Sequence, residues 1–279
     1  MKVSDVFFSG NRFGYLFKKE LMEDMKKNLM RCIVLFGIFL VLFLFVGFNS
    51  YSTNPYFSRT YDILWDFMTV FFMFGIFFGA CLSATYITEK MKNKTGKISV
   101  MMLPATSFEK FSVRWLTYSI GFLLVYFLAF ELADWIRVVV FSNYYPKETI
   151  NSFPIWKVMT TGDFRTDEIV SSKEQQIVSI VIAVFWAMQS FFVLGSTLWQ
   201  KNSFLKTAVA LFALCAGIGL VAYWSTMLFI PNDFYKAEPE SISEETALLM
   251  VSIFFYAIAL FNTVLAYFRY KEMEVINRW

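Results

Sequence analysis

Three charged residues stand close together near the end of a long apolar run, and they are the strongest candidates for chemistry in this sequence. Glu131, Asp134 and Arg137 follow one another at intervals of three. A charge inside a membrane is costly and usually faces a cavity or a partner. Two interpretations remain open at this point. Arg137 pairs with Asp134 at the membrane edge, or the three residues belong to a substrate path or a gate.

The sequence offers little else for catalysis or cofactor binding. It has no histidine, which excludes histidine general bases, histidine-containing triads and histidine metal sites. Cys32, Cys81 and Cys215 lie in separate apolar runs without a C-x-x-C pair, so we expect neither a disulfide nor a metal site. Walker A, G-x-G-x-x-G and G-x-S-x-G sequences are absent. We therefore expect no catalytic residue, no cofactor site, no metal site and no enzyme activity in this chain.

The composition predicts a membrane protein with an all-α fold. The chain of 279 residues is 57% hydrophobic and only 17% charged, against about 45–50% and about 25% in soluble domains. A net charge of +3 is too small to indicate a nucleic-acid partner. Since about 20 apolar residues span a bilayer as a helix, we predict a polytopic protein with six transmembrane helices. Residues 32–268 form this domain, with spans at about 32–48, 65–88, 115–140, 177–199, 204–230 and 247–268.

The basic residues predict the orientation of the chain. With the N-terminus inside, 18 Lys and Arg residues lie on the inner side and seven on the outer side. The acidic residues follow the opposite trend, with eight inside and 14 outside. Enrichment of Lys and Arg in short loops marks the cytoplasmic side. We expect a multi-pass protein of the plasma (inner) membrane whose N-terminus and C-terminal tail, 269–279, are cytoplasmic.

The cytoplasmic N-terminus, 1–31, contains a predicted amphipathic helix that runs from Arg12 to Met30. Its apolar residues recur at intervals of four on one face, and lysines occupy the other faces. The apolar face consists of Phe13, Phe17, Leu21, Met25 and Leu29. Such a helix lies in the membrane interface with its lysines toward anionic lipid headgroups. A solvated helix with a modest apolar stripe is the alternative.

Small residues recur at intervals of four in the second predicted span. Gly75, Gly79 and Ser83 form this small-xxx-small pattern. Small residues allow two helices to approach closely in a membrane. The partner helix could belong to the same chain or to a second copy in a dimer, and the pattern alone leaves both open.

The loop between the second and third spans carries the most informative pattern. It reads ATYITEKMKNKTGKISVMMLPATSFEKFSVRWL, in which an acidic residue ends one span and a basic stretch with a glycine follows. A short apolar run, a Leu-Pro pair, a serine and a second acidic residue come next, before a basic residue opens the following span. This order resembles the "E-K-x-G … L-L-P-x-S … E" cytoplasmic loop of ABC-2-type transporter permeases. The six spans, the helix before the first span and the inner termini are also similar to that family.

The resemblance implies that this chain is the transmembrane subunit of an ABC exporter. A separate ABC ATPase subunit would bind ATP and Mg²⁺, and a second permease chain would complete the transmembrane unit as a homodimer or heterodimer. The substrate class it implies is a peptide, a lipid or a hydrophobic compound, moved outward. The loop residues it implies for coupling to the ATPase are Glu89, Gly96, Leu103, Pro104, Ser107, Phe108 and Glu109.

The loop residues also suit a docking segment on physical grounds. Pro104 stiffens the turn, Thr106 or Ser107 can cap the following helix, and Glu109 falls in its first turn. In the simpler alternative, this sequence is only the start of the third span. Two rival functions also remain, namely a non-transporting scaffold or sensor subunit and a secondary transporter. A secondary transporter would need ionisable residues near the midplane, and the central thirds of the spans carry none.

Overall fold

The computed structural model describes residues 7–53, 62–145, 150–161, 172–199, 201–229 and 243–275. In these ranges the chain forms helices and no strand, which confirms the predicted all-α fold there. The α-helices are α1 Gly10–Glu23, α2 Met25–Thr53, α3 Trp65–Ala84, α4 Lys94–Met101, α5 Ser107–Trp115, α6 Gly121–Tyr144, α7 Ile155–Thr161, α8 Ser172–Leu198, α9 Ser203–Phe229 and α10 Glu244–Val275. A 3₁₀ turn, Glu89–Lys92, precedes α4, and a π-helical turn, Leu116–Ile120, joins α5 to α6.

Five of these helices are long and apolar enough to cross a membrane, which indicates a multi-pass membrane protein. The apolar stretches are Met25–Ser52, Trp65–Ala84, Gln175–Leu198, Ser203–Ser225 and Glu244–Met273. The helix α6 has 24 residues, which is also long enough. It is not among the five, and it differs from them in carrying Glu131, Asp134 and Arg137 within its length.

The first of two compact units comprises Met1–Ser83 and Pro104–Ile169. Aromatic rings from three of its helices form the core, because α2 and α6 pack side by side and α3 packs onto both. The ring of Phe43 lies 5.1 Å from that of Phe130, and the ring of Phe72 lies 5.0 Å from it. Such edge-to-face pairs stabilise an interior beyond the area they bury. This core gives the charged residues of α6 a rigid support.

The predicted helix from Arg12 to Met30 is interrupted in the structure. Its first part, α1, ends at Glu23, and the next helix begins at Met25 and continues into the first span. Asp24 between them has φ −98° and ψ 8°, outside the usual helical values. Asp24 is buried, as is Glu20 one turn earlier. Polar residues of α1 therefore pack inward at the junction between the two helices. The apolar stripe in the sequence did not predict this burial.

The second compact unit comprises Ala84–Leu103 and Val170–Trp279. Its main contact is between α8 and α10, which run parallel. Tyr256 donates to the carbonyl of Ser179 at 3.5 Å, and further along both helices Asn262 Nδ2 donates to Ser190 Oγ at 3.3 Å. The segment before α4 is fixed to α8 by Thr88, whose hydroxyl donates to the carbonyl of Ser196 at 2.8 Å. The remaining helix, α9, packs on α8 where Gly195 meets Thr207.

Candidate functional site

A buried charge cluster in the first unit is centred on Arg137. Its Nε donates to Asp134 Oδ1 at 2.8 Å, and its Nη1 donates to Asp62 Oδ2 at 2.7 Å. Its Nη2 donates to the backbone carbonyl of Asn151 at 2.7 Å. The side chains of Arg137 and Asp62 are 0% exposed and that of Asp134 is 6% exposed. One guanidinium group therefore forms ion pairs with carboxylates from two different segments.

The other oxygens of the two carboxylates are also satisfied. The Tyr51 hydroxyl donates to Asp62 Oδ1 at 2.6 Å and accepts from Arg137 Nη1 at 2.8 Å. The backbone N–H of Phe153 donates to Asp134 Oδ2 at 2.7 Å. A buried ion pair of this kind is held when its geometry is good and its remaining lone pairs are used. The cluster therefore fastens the end of α2, the segment before α3, α6 and the segment after α6 to one another.

The pair Asp134–Arg137 is present in the structure, at the spacing that the sequence shows. Glu131 is exposed and lies outside the cluster. Sequence analysis missed Asp62 and Tyr51, because each comes from a segment far from α6 along the chain. The one available signal was an acidic residue just before an apolar span. With its hydrogen-bonding groups occupied, the cluster is suited to holding the fold together and has little capacity left for a ligand.

The small-residue pattern of α3 contacts α6 of the same chain. A Cβ at Gly75 would lie 2.5 Å from Tyr126 Oη, and one at Gly79 would lie 2.5 Å from the ring of Phe122. The Ser83 hydroxyl donates to the backbone carbonyl of Tyr118 at 2.5 Å. Gly75 and Gly79 thus make room for two aromatic side chains of α6, and Ser83 bonds to the backbone of the π-helical turn that precedes it. This face is occupied within the chain.

The beginning of α5 is held by Glu109. Thr106 is the N-cap residue, and its hydroxyl accepts from the Glu109 N–H at 3.3 Å, while Glu109 Oε2 accepts from the Thr106 N–H at 3.0 Å. This reciprocal arrangement is a capping box. Glu109 Oε1 also accepts from the Ser9 N–H at 2.8 Å and from Arg12 Nη2 at 3.2 Å. Glu109 therefore ties the start of α1 to the start of α5.

The protonation of Glu109 reflects these contacts. Burial by itself raises the pKa of a carboxyl group, since it disfavours the charged form. Here the N–H groups of Ser9 and Thr106 and the guanidinium of Arg12 outweigh burial and hold the pKa of Glu109 below its ordinary value. A second link lies further along the helices, where Arg114 Nε donates to Glu20 Oε1 at 3.3 Å and both side chains are buried. We call these two links, Glu109 with Arg12 and Glu20 with Arg114, the N-terminal clasp.

The loop residues that the family resemblance implies for coupling fall into both compact units. Glu89, Gly96 and Leu103 belong to the second unit, whereas Pro104, Ser107, Phe108 and Glu109 belong to the first. Glu89 and Leu103 are half-buried and Pro104 is exposed. Ser107 is the first residue of α5, and the Phe108 ring packs 5.1 Å from that of Phe7. Glu109 is fully buried, so its surroundings assign it to the N-terminal clasp and leave it no surface for a partner.

Gly96 has a clear steric role in this loop. A Cβ at this position would collide with the backbone carbonyl of Lys90. Because that neighbour is backbone, it cannot move aside as the tip of a side chain could. The glycine therefore allows α4 to fold back closely onto the 3₁₀ turn before it.

An exposed apolar patch at the C-terminal end of α4, which includes its C-cap residue Met102, was not predicted from the sequence. Ile98, Met101 and Met102 are 57%, 41% and 80% exposed, and they are spaced as neighbours on one face of a helix. Single exposed apolar residues are ordinary, whereas a contiguous group marks an interaction surface. We call these three residues the α4 patch. It lies in the loop that the distribution of basic residues predicts to be cytoplasmic.

Among the described residues, no group of three His, Cys, Asp or Glu side chains is placed to hold a metal ion. Comparisons with protein-family models, with curated proteins and with solved structures found no match to this chain.

Proposed function

We propose that this chain is the transmembrane permease subunit of an ABC-2-type exporter, a plasma-membrane protein with six spans and both termini in the cytoplasm. It moves a peptide, lipid or hydrophobic compound outward. A separate ABC ATPase subunit binds ATP and Mg²⁺ and supplies the energy, and a second permease chain completes the unit. The α4 patch is the observation that carries this proposal, because a cytoplasmic apolar surface calls for a protein partner.

The proposal needs one span in addition to the five apolar helices, and we assign α6 as that span. Its charges would be costly in lipid, but Asp134 and Arg137 neutralise each other inside the protein. The residues that α6 exposes are mostly apolar and recur about once per turn. They are Leu124, Leu128, Leu132, Trp135 and Val139. A helix that buries Asp134 and Arg137, leaves Glu131 as its exposed charge and otherwise exposes such a stripe is compatible with lipid, which supports its assignment as a span.

The placement of α1 at the membrane interface has similar support. Tyr15 and Met22 are 77% and 66% exposed on this helix, although its polar face is buried through Glu20. Lys18 is exposed beside them. Exposed apolar residues next to lysines suit the boundary between acyl chains and anionic headgroups. The N-terminal clasp would then connect a helix at the membrane surface to α5.

The docking of the ATPase is assigned to the α4 patch. Neighbouring apolar side chains on a short helix fit a hydrophobic groove of a partner. A partner of this kind buries the patch, while the basic residues around it remain at the rim. Docking at this position would transmit force to the second unit, to which α4 belongs.

A pull-down from the native membrane tests the proposal. The full chain should retain an ABC ATPase, and Ile98→Glu should reduce the amount retained by at least about tenfold, since a charge in an apolar contact core costs more than 1.4 kcal/mol. Ser99→Glu is the matched control, because Ser99 is adjacent, exposed and outside the patch. Retention of no ATPase by the wild-type chain would reject the exporter and favour a scaffold or a secondary transporter.

A further inference from the structure

One buried polar side chain in the second unit has no partner among the described residues. Gln189 is 2% exposed, and neither its Nε2 nor its Oε1 makes a hydrogen bond in the part of the chain that the structure describes. It lies well inside the apolar stretch Gln175–Leu198, about two and a half turns from its end. The hydrocarbon of a membrane cannot supply the missing hydrogen-bond partner. The amide therefore stands out as an unsatisfied group.

The neighbouring residue shows what a satisfied polar group looks like on the same helix. Ser190 Oγ donates to the carbonyl of Ala187 at 2.7 Å and accepts from Asn262 Nδ2 at 3.3 Å. This side of α8 faces α10. Gln189 lies about 100° away around the helix, so it does not share the α10 contact in the same direction. Gln189 is therefore unpaired on a side of α8 that differs from the side in contact with α10.

We propose that Gln189 is a ligand-binding residue whose amide hydrogen-bonds to an amide group of the transported molecule. A buried amide that is unpaired in one conformation is expected to find its partner in another conformation or in a ligand. This inference rests on the proposed export function and names a substrate class for it.

The two unpaired atoms define the chemistry of the ligand. Gln189 Nε2 offers donors and Oε1 offers an acceptor. A carboxylate would satisfy only the donors, and a cation would satisfy only the acceptor. An amide group donates and accepts at once, so it can form two parallel hydrogen bonds with the glutamine side chain. A peptide bond or another carboxamide therefore fits best.

The first experiment compares the thermal unfolding of purified full-length variants in nanodiscs. Gln189→Leu should raise the unfolding midpoint by about 2–4 °C, because it removes an unpaired polar group. Asn262→Leu is the matched control, since Asn262 is also buried but hydrogen-bonded, and it should lower the midpoint. A fall in the midpoint of Gln189→Leu as large as that of the control would overturn the proposal, because the amide would then have a partner.

The second experiment measures access from water in the same full chain after Cys32, Cys81 and Cys215 are replaced by alanine. Gln189→Cys should react with a charged methanethiosulfonate reagent, and Ala187→Cys should not. The two positions are equally buried, at 2% exposure each, but they lie on opposite sides of α8. Equal protection of both cysteines in resting and energised membranes would overturn the assignment of Gln189 to a ligand path.

The third experiment tests the ligand class with benzamide and its ester analogue, methyl benzoate. Benzamide should raise the unfolding midpoint of the wild-type chain and leave that of Gln189→Leu unchanged. Methyl benzoate, which lacks the donor, should not distinguish the two proteins. An equal effect of benzamide on both, including no effect, would reject the amide ligand. The two unfolding experiments need no ATPase, so their outcome is separate from the pull-down that tests the exporter.

Discussion

Replacing Arg137 with methionine should be among the most destabilising single changes in this chain. Arg137→Met removes the hydrogen bonds to Asp134 and Asp62 and leaves two carboxylates buried without a cation. Removing one partner of a buried ion pair costs about 3–5 kcal/mol. For a chain of this size, such a loss lowers the thermal midpoint by about 6–20 °C.

The neutral variant of the acidic partner should cost less. Asp62→Asn retains an acceptor for the Tyr51 hydroxyl and leaves Arg137 paired with Asp134. We expect a loss of about 1.5–3 kcal/mol, the value of a hydrogen bond to a charged group. The triple variant Asp62→Asn, Asp134→Asn, Arg137→Met should recover more than half of the loss caused by Arg137→Met, since it leaves no buried charge without a partner.

Denaturation of the purified variants in detergent, followed by circular dichroism, measures these differences. Glu131→Gln is the control, because Glu131 is an exposed acidic residue on the same helix, and its effect should stay within about 0.5 kcal/mol. The reasoning fails if the single effects add within about 0.5 kcal/mol in the combined variants, because the three residues would then act independently.

Further predictions concern packing, the clasp and topology. Gly79→Val should cost about 1–3 kcal/mol, because its side chain meets the aromatic face of α6. Gly96→Ala should cost a similar amount, about 1–3 kcal/mol, by forcing backbone apart, and limited proteolysis of the loop should detect it. The stability that Glu109 contributes should be complete above its ordinary pKa of 4.5 and be lost as the pH falls toward its lowered pKa, and Glu109→Gln should lack this dependence in acid denaturation. In intact cells, a cysteine replacing Lys157 should react with an impermeant thiol reagent, whereas one replacing Lys94 should not.

Each of these outcomes can contradict its premise. A wild-type stability for the glycine variants would mean that the close helix contacts relax freely. An acid denaturation profile shared by the wild-type chain and Glu109→Gln would remove the clasp as its cause. Labelling at position 94 from outside would reverse the orientation on which the docking proposal depends.

The sequence by itself determined the class of this fold. Long apolar runs have to become helices in a membrane because each backbone group must be satisfied within its own segment. The four-residue spacing of Gly75 and Gly79 predicted a helix contact, and the three-residue spacing of Asp134 and Arg137 predicted an ion pair. These features depend on residues close together in the chain, so periodicity is enough to find them.

Only the tertiary structure decided which segments these features meet. Asp62 reaches Arg137 across 75 positions, and Glu109 reaches Ser9 across 100. No local pattern encodes such pairings, because they depend on how separate helices come together. Burial decided the rest. Glu109 is buried within the clasp, and the amide of Gln189 is buried without a partner among the described residues. The free-energy cost of burying a polar group depends on its surroundings and not on its place in the sequence.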